Sequence, residues 1–117
     1  TLSSSSAASD VYKRQLSYTA SKYTMLGLTD TLARSLAPKV RVNAVSPGHT
    51  LASDSQTSEG FQRAQSSSPL GYGPGPEDIA NAVCYLMNAK SVTGQIIYVD
   101  SGERFLSRSR DVVFETE

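Results

Sequence analysis

Leu32-Ala-Arg-Ser-Leu-Ala-Pro38-Lys-Val40-Arg-Val-Asn-Ala-Val45-Ser-Pro47-Gly48 changes its period once, and that change decides the fold. Upstream of Pro38 the apolar positions Ala20, Tyr23, Met25, Leu26, Leu28, Leu32, Ala33 and Leu36 recur at spacings of three and four, with Lys22, Asp30 and Arg34 interspersed. That spacing predicts an amphipathic helix over Tyr18–Leu36 with Ser17 as its N-cap. Pro38 ends it, because the residue before a proline is pushed out of the α region. Val40 to Val45 alternates and is β-branched, which predicts a short strand, and Ser46-Pro47-Gly48 closes it with a turn.

Working outward, His49 to Pro76 is polar and rich in Ser, Gly and Pro, with a short helix expected around Glu59–Ala64 and a loop over Gly71–Pro76. A connection this long in a compact domain is usually functional. Pro76-Glu77-Asp78 then opens a helix with proline and acids at its positive end, and Ile79, Ala82, Val83, Leu86 and Met87 form its apolar stripe to about Asn88. Cys84 is placed on the apolar side of this helix as a packing residue. Val92–Gln95 reads as a turn and Ile96–Asp100 as a strand closed by Ser101-Gly102. The tail, Glu103–Glu117, has one apolar patch at Val112–Phe114. Helices alternating with short apolar strands predict an α/β fold with a parallel sheet. Two strands cannot cover the faces and edges of such a sheet, so the expectation is the C-terminal half of a doubly wound, Rossmann-like domain whose N-terminal half is missing. Such a piece is expected to be marginally stable or aggregated.

Composition narrows the function classes. The 117 residues carry 11 basic and 11 acidic side chains, so net charge gives no electrostatic case for nucleic acid or an anionic membrane surface. No apolar run approaches the ~20 residues needed to cross a bilayer. One cysteine and one histidine, Cys84 and His49, exclude a disulfide framework, a multi-cysteine zinc site and a histidine-rich metal centre. These features fit a reducing cytoplasm.

The first fifteen residues read as a separate leader. Thr1–Ser9 is a low-complexity serine run without core-building side chains, expected to be disordered, and it lacks the basic and apolar regions of a secretory signal. Asp10-Val-Tyr-Lys-Arg-Gln15 resembles the translation of a transposon-end adaptor used in sequencing libraries. Residues 1–15 are therefore set aside as non-native or disordered, and 16–117 are treated as the domain portion.

Tyr18-Thr-Ala-Ser-Lys22 is the first chemistry in the chain. Positions i and i+4 share a helix face, so an ammonium can sit beside a phenol, favour the phenolate and tune it for proton transfer. Taken alone, such a pair is more often just a Tyr and a Lys on an ordinary amphipathic helix. Here it is followed in order by Leu28-Thr-x-x-Leu32-Ala33, Val40-Arg-Val-Asn43-Ala-Val-Ser-Pro47-Gly48, Pro76-Glu-Asp-Ile-Ala80, Val92-Thr-Gly-Gln95 and Val99-Asp100-Ser-Gly102. This series resembles the short-chain dehydrogenases/reductases over roughly residues 16–106. Ser101 stands where that family more often has the first of two glycines after the aspartate.

The resemblance implies an NAD(P)-dependent oxidoreductase that transfers hydride to a carbonyl or imine. In it, Tyr18 is the general acid/base and, with Lys22, a cofactor-binding residue, and Lys22 lowers the tyrosine pKa and bonds the nicotinamide ribose. Pro47 and Gly48 turn the chain so that the following backbone, with Thr50, meets the nicotinamide carboxamide. Asn43 supports the sheet end, and Leu51–Pro74 is the substrate loop. His49 is weighed as a substrate contact or, more simply, an exposed loop residue. The family's glycine-rich phosphate turn does not occur in these residues; Gly71-x-Gly-x-Gly75 follows no strand. Ser5 stands thirteen positions before Tyr18, where the family has a catalytic serine, but it lies in the leader and is not given that role. Asp100-Ser-Gly-Glu-Arg-Phe105-Leu with Arg108-x-Arg110 resembles the tail of bacterial pteridine and dihydromonapterin-type reductases. The resemblance also implies a homo-dimeric or homo-tetrameric parent, a small-molecule substrate and no metal. The competing reading is a non-catalytic α/β fragment serving as an oligomerisation or binding module.

Overall fold

The computed structural model describes residues 2–106, with side chains from residue 16 onward. The element order is α1 (Leu2–Leu36), β1 (Ala44–Pro47), α2 (Ser58–Ser66), α3 (Pro76–Asn88) and β2 (Ile96–Val99), followed by a 3₁₀ turn over Glu103–Phe105. The tail patch at residues 112–114 and the arginine pair at 108 and 110 lie outside the described residues.

β1 and β2 pair in parallel, Ala44 opposite Ile96 and Pro47 opposite Val99, as the alternating order of elements requires. Both strands therefore end on the same side, where Gly48 N–H extends the ladder by donating to the Val99 carbonyl at 2.9 Å. α3 packs against both strands. Its start follows the sequence: Pro76 occupies the first turn, and the Asp78 carboxylate accepts from Gly75 N–H at 2.8 Å. α2 begins at a Thr57 cap whose hydroxyl accepts from Gly60 N–H at 3.0 Å.

Two element boundaries and the placement of Cys84 are corrected by the structure. β1 spans Ala44–Pro47 rather than Val40–Val45, because the Val42 backbone bonds the 92–95 turn instead of a ladder, its N–H donating to the Thr93 hydroxyl at 3.1 Å and its carbonyl accepting from Gly94 N–H at 2.7 Å. α1 runs unbroken from Leu2, so Ser17 is an interior residue and not a cap, and residues 2–9, expected to be disordered, are helical. The physical reason is that no proline or glycine interrupts residues 2–26, and extending an existing helix costs far less than nucleating one. Cys84 is exposed rather than packed, since only Leu86 of α3 is buried.

The core is small. Ala33, Ala64 and Leu86 are its buried apolar residues, and no described large side chain is fully enclosed. Among the described residues of α1 only Thr29 and Ala33 are buried, while Met25, Leu28, Leu32 and Leu36 lie open beside them. Exposed apolar side chains along one helix stripe, and a two-stranded sheet with open edges among the described residues, are what a partial doubly wound domain leaves uncovered. No described helix is long and apolar enough to cross a membrane.

Arg41 has a role that periodicity does not reveal. Its guanidinium donates to the Leu86 carbonyl at 2.9 Å, to Met87 at 3.2 Å and to Val92 at 3.2 Å. α3 has no basic residue in its own last turn, so Arg41 supplies the cation that its negative end favours. Arg41→Ala is expected to destabilise a complete domain carrying this segment by about 2 kcal/mol, read by urea unfolding. A change below about 0.5 kcal/mol would remove that role.

Candidate active site

Two groups of residues make up the site. The first is on α1, where Lys22 Nζ lies 5.1 Å from the centroid of the Tyr18 ring. The i, i+4 spacing thus brings ammonium and phenol together as a helix must. Tyr18 is 49% exposed, so its ring is available to a ligand on the open face of the helix. Tyr18 lies eleven residues, about 16 Å of helix rise, before Thr29, the first buried side chain among the described residues of α1. The pair therefore stands on an exposed stretch of the helix.

The second group sits beyond the carboxyl ends of the parallel strands, the position at which open α/β sheets bind ligands. Pro47 ends β1 and Gly48 follows in a tight approach to the other chain segment. A Cβ at Gly48 would come within 2.8 Å of the Asp100 Cα, so only glycine fits without moving backbone. The Thr50 hydroxyl donates to the Gly48 carbonyl at 2.9 Å and ties this turn to itself. Among the described residues no hydrogen bond or ion pair joins this group to Tyr18 or Lys22. Asn43 holds the opposite end of β1: its amide donates to the Val92 carbonyl at 2.9 Å and accepts from Gln95 N–H at 3.0 Å.

His49 is not an exposed loop residue. Its Nδ1 lies 2.7 Å from Glu103 Oε1, both side chains are over four-fifths buried, and its backbone N–H donates to Glu103 Oε2 at 3.2 Å. The Phe61 ring of α2 is 6.4 Å away. Glu103 and His49 are 54 residues apart in sequence, so no spacing rule could have paired them. Only the parallel register, which sets the exits of β1 and β2 side by side, does so.

Asp100 was legible only as the end of a strand. Its carboxylate is nearly buried and accepts from Gly102 N–H and Arg104 N–H, each at 3.0 Å, fixing the turn that carries Glu103. Ser101 in this turn has φ 53°, the left-handed region that disfavours a side chain, which explains why a second glycine is natural there. Ser101→Gly is expected to stabilise a complete domain by up to about 1 kcal/mol, the relieved strain exceeding the added chain entropy. A lower unfolding midpoint in the variant would contradict this. Among the described residues no cluster of His, Cys, Asp and Glu is able to hold a metal.

Comparison with known proteins places these features in a family. A family model described as enoyl-(acyl carrier protein) reductase matches residues 1–103, a span that includes residues 1–15. Dihydromonapterin reductase of Citrobacter koseri is 35% identical over 89 residues, covering 76% of this chain and 37% of the relative. The 1,2-dihydroxy-1,2-dihydronaphthalene dehydrogenase of Pseudomonas putida is 38% identical over 101 residues, covering 73% and 39%. Among solved structures, FolM alternative dihydrofolate reductase 1 from Brucella canis, complexed with NADP, superposes with a TM-score of 0.75 at 41% identity, covering 80% of this chain and 37% of that one. The chain thus spans little more than a third of the proteins it matches.

Proposed function

The chain belongs to the enoyl-(acyl carrier protein) reductase family of short-chain dehydrogenases/reductases, and on that footing we propose that it is part of an NAD(P)-dependent oxidoreductase acting on a carbonyl or imine, with a pterin ring as the first substrate class to test. The reading rests on Tyr18 and Lys22 being held together on an open helix face, in a chain whose relatives are reductases and dehydrogenases. The names dihydromonapterin reductase and dihydrofolate reductase favour the pterin, and the NADP complex of the Brucella protein favours NADP over NAD.

The residues present fit the nicotinamide end of such a cofactor. Gly48 keeps the backbone beyond β1 free of a side chain, and the Thr50 hydroxyl, whose proton is committed to the Gly48 carbonyl, is left to accept from a carboxamide amine. Pro47 sets the direction of that loop at the strand end. Lys22 supplies donors for ribose hydroxyls. When bound, the nicotinamide supplies the hydride. Tyr18 gives its phenolic proton to the substrate oxygen or nitrogen as negative charge develops there, and Lys22 stabilises the phenolate that remains. In the reverse direction the same phenolate takes the proton back. The working parent assembles as a homo-dimer or homo-tetramer, and residues 1–15 are a foreign leader, a point that reading the source DNA across residue 15 decides.

The test is a complete domain in which residues 16–117 are joined to a cofactor-binding front half. NADPH-dependent reduction of a dihydropterin or a simple ketone is the expected result. A well-folded, cofactor-binding domain with no hydride transfer to any such acceptor would favour the non-catalytic module. The 117-residue chain itself is expected to give no NADPH binding heat in calorimetry, because the phosphate-cradling glycine turn does not occur in its sequence. Micromolar binding would overturn that expectation.

A further inference from the structure

The 49–76 segment is polar, yet it is fastened at both ends to one short turn. Before α2, Glu103 accepts the His49 backbone N–H and bonds the His49 ring at 2.7 Å. The His49 carbonyl in turn accepts from the Gln65 side chain of α2 at 2.8 Å. After α2, Leu70 N–H donates to the Ser101 carbonyl at 3.2 Å, and a Cβ at Gly102 would sit 3.1 Å from Pro69. The turn after β2 is therefore a bracket that closes the segment into a loop over the carboxyl ends of the strands. Glu103 is its one carboxylate reaching across to the first half, and a charge-assisted bond at low exposure is worth far more there than at the surface.

We propose that Glu103, acting through His49, is a positioning residue that fixes α2 and the start of the substrate segment against the Pro47–Thr50 turn. It touches neither cofactor nor reacting atoms. It sets where the wall of the substrate pocket stands, so its loss is felt as substrate affinity rather than as the proton-transfer step. The functional half of this statement rests on the reading of Pro47–Thr50 as the nicotinamide-facing turn; the structural half does not.

Two measurements separate those halves. Hydrogen exchange on the 117-residue chain and on the complete domain compares Glu103→Ala, Glu103→Gln and His49→Ala with the parent. Glu103→Ala is expected to speed exchange of amides in 58–66 and of His49 by tenfold or more, with α3 amides unchanged. Glu103→Gln, which keeps an acceptor of the same length, is expected to restore most of the protection. Unchanged exchange in both the Glu103→Ala and His49→Ala proteins overturns the bracket, whatever the enzyme does. If Glu103→Ala fails to fold, His49→Ala and Glu103→Gln carry the same comparison. In the active complete domain, Glu103→Ala is expected to raise the substrate KM about tenfold with kcat within threefold, and Glu103→Gln to return KM toward the parent. Loss of kcat at unchanged KM would overturn the positioning role. A domain inactive even with Tyr18 and Glu103 intact would count against the proposed reaction, while exchange would still decide the bracket.

Discussion

Tyr18→Phe in the complete domain is expected to lower kcat/KM by about 10²–10⁴-fold, the usual worth of a positioned acid/base group. The substitution removes one oxygen from an exposed ring, so helix and fold are left intact, and cofactor binding should move by less than threefold. Lys22→Met should cost less, because it removes the charge that stabilises the phenolate but leaves the proton in place. The rate of reduced-nicotinamide consumption under saturating substrate reads both effects. A phenylalanine variant within threefold of its parent would mean that another group moves the proton, and the role assigned to Tyr18 would fall.

The largest stability effect is expected at Asp100. Its carboxylate satisfies two backbone N–H groups at 3.0 Å while only 9% of the residue is exposed. Asp100→Ala leaves both donors unpaired in a nearly buried turn, a loss of about 2–4 kcal/mol. Asp100→Asn keeps one acceptor oxygen and should lose about half as much. Urea unfolding of the complete domain measures both. A cost below about 1 kcal/mol for the alanine variant would show that the turn holds without its cap. Because the same turn carries Ser101, Gly102 and Glu103, the alanine variant should also loosen 58–66 in hydrogen exchange.

Much of this protein was legible residue by residue. Pro76-Glu77-Asp78 announced α3, and the structure starts that helix at Pro76 and ends it at Asn88. Ile96–Asp100 announced β2, which ends one residue earlier at Val99, and Tyr18 with Lys22 announced a shared helix face. In each case the information is local, since capping, β-branching and helical spacing act over four or fewer residues. The bounds of β1 were less legible. Val40–Val45 has strand chemistry, yet the Val42 backbone is drawn off to bond Thr93 and Gly94, partners some fifty residues distant.

The sequence alone determined the order of elements, their parallel α/β class, the helix that carries the phenol–ammonium pair and the likeness to reductases, because each of these is written in short-range periodicity and in ordered blocks of motif. Tertiary structure alone decided that His49 meets Glu103, that Arg41 caps α3, that Gly48 admits no side chain and that one turn after β2 holds both ends of the 49–70 segment. The reason is geometric. Parallel pairing sets the carboxyl ends of β1 and β2 side by side, and residues 48–50 and 100–103 become neighbours only once that register exists.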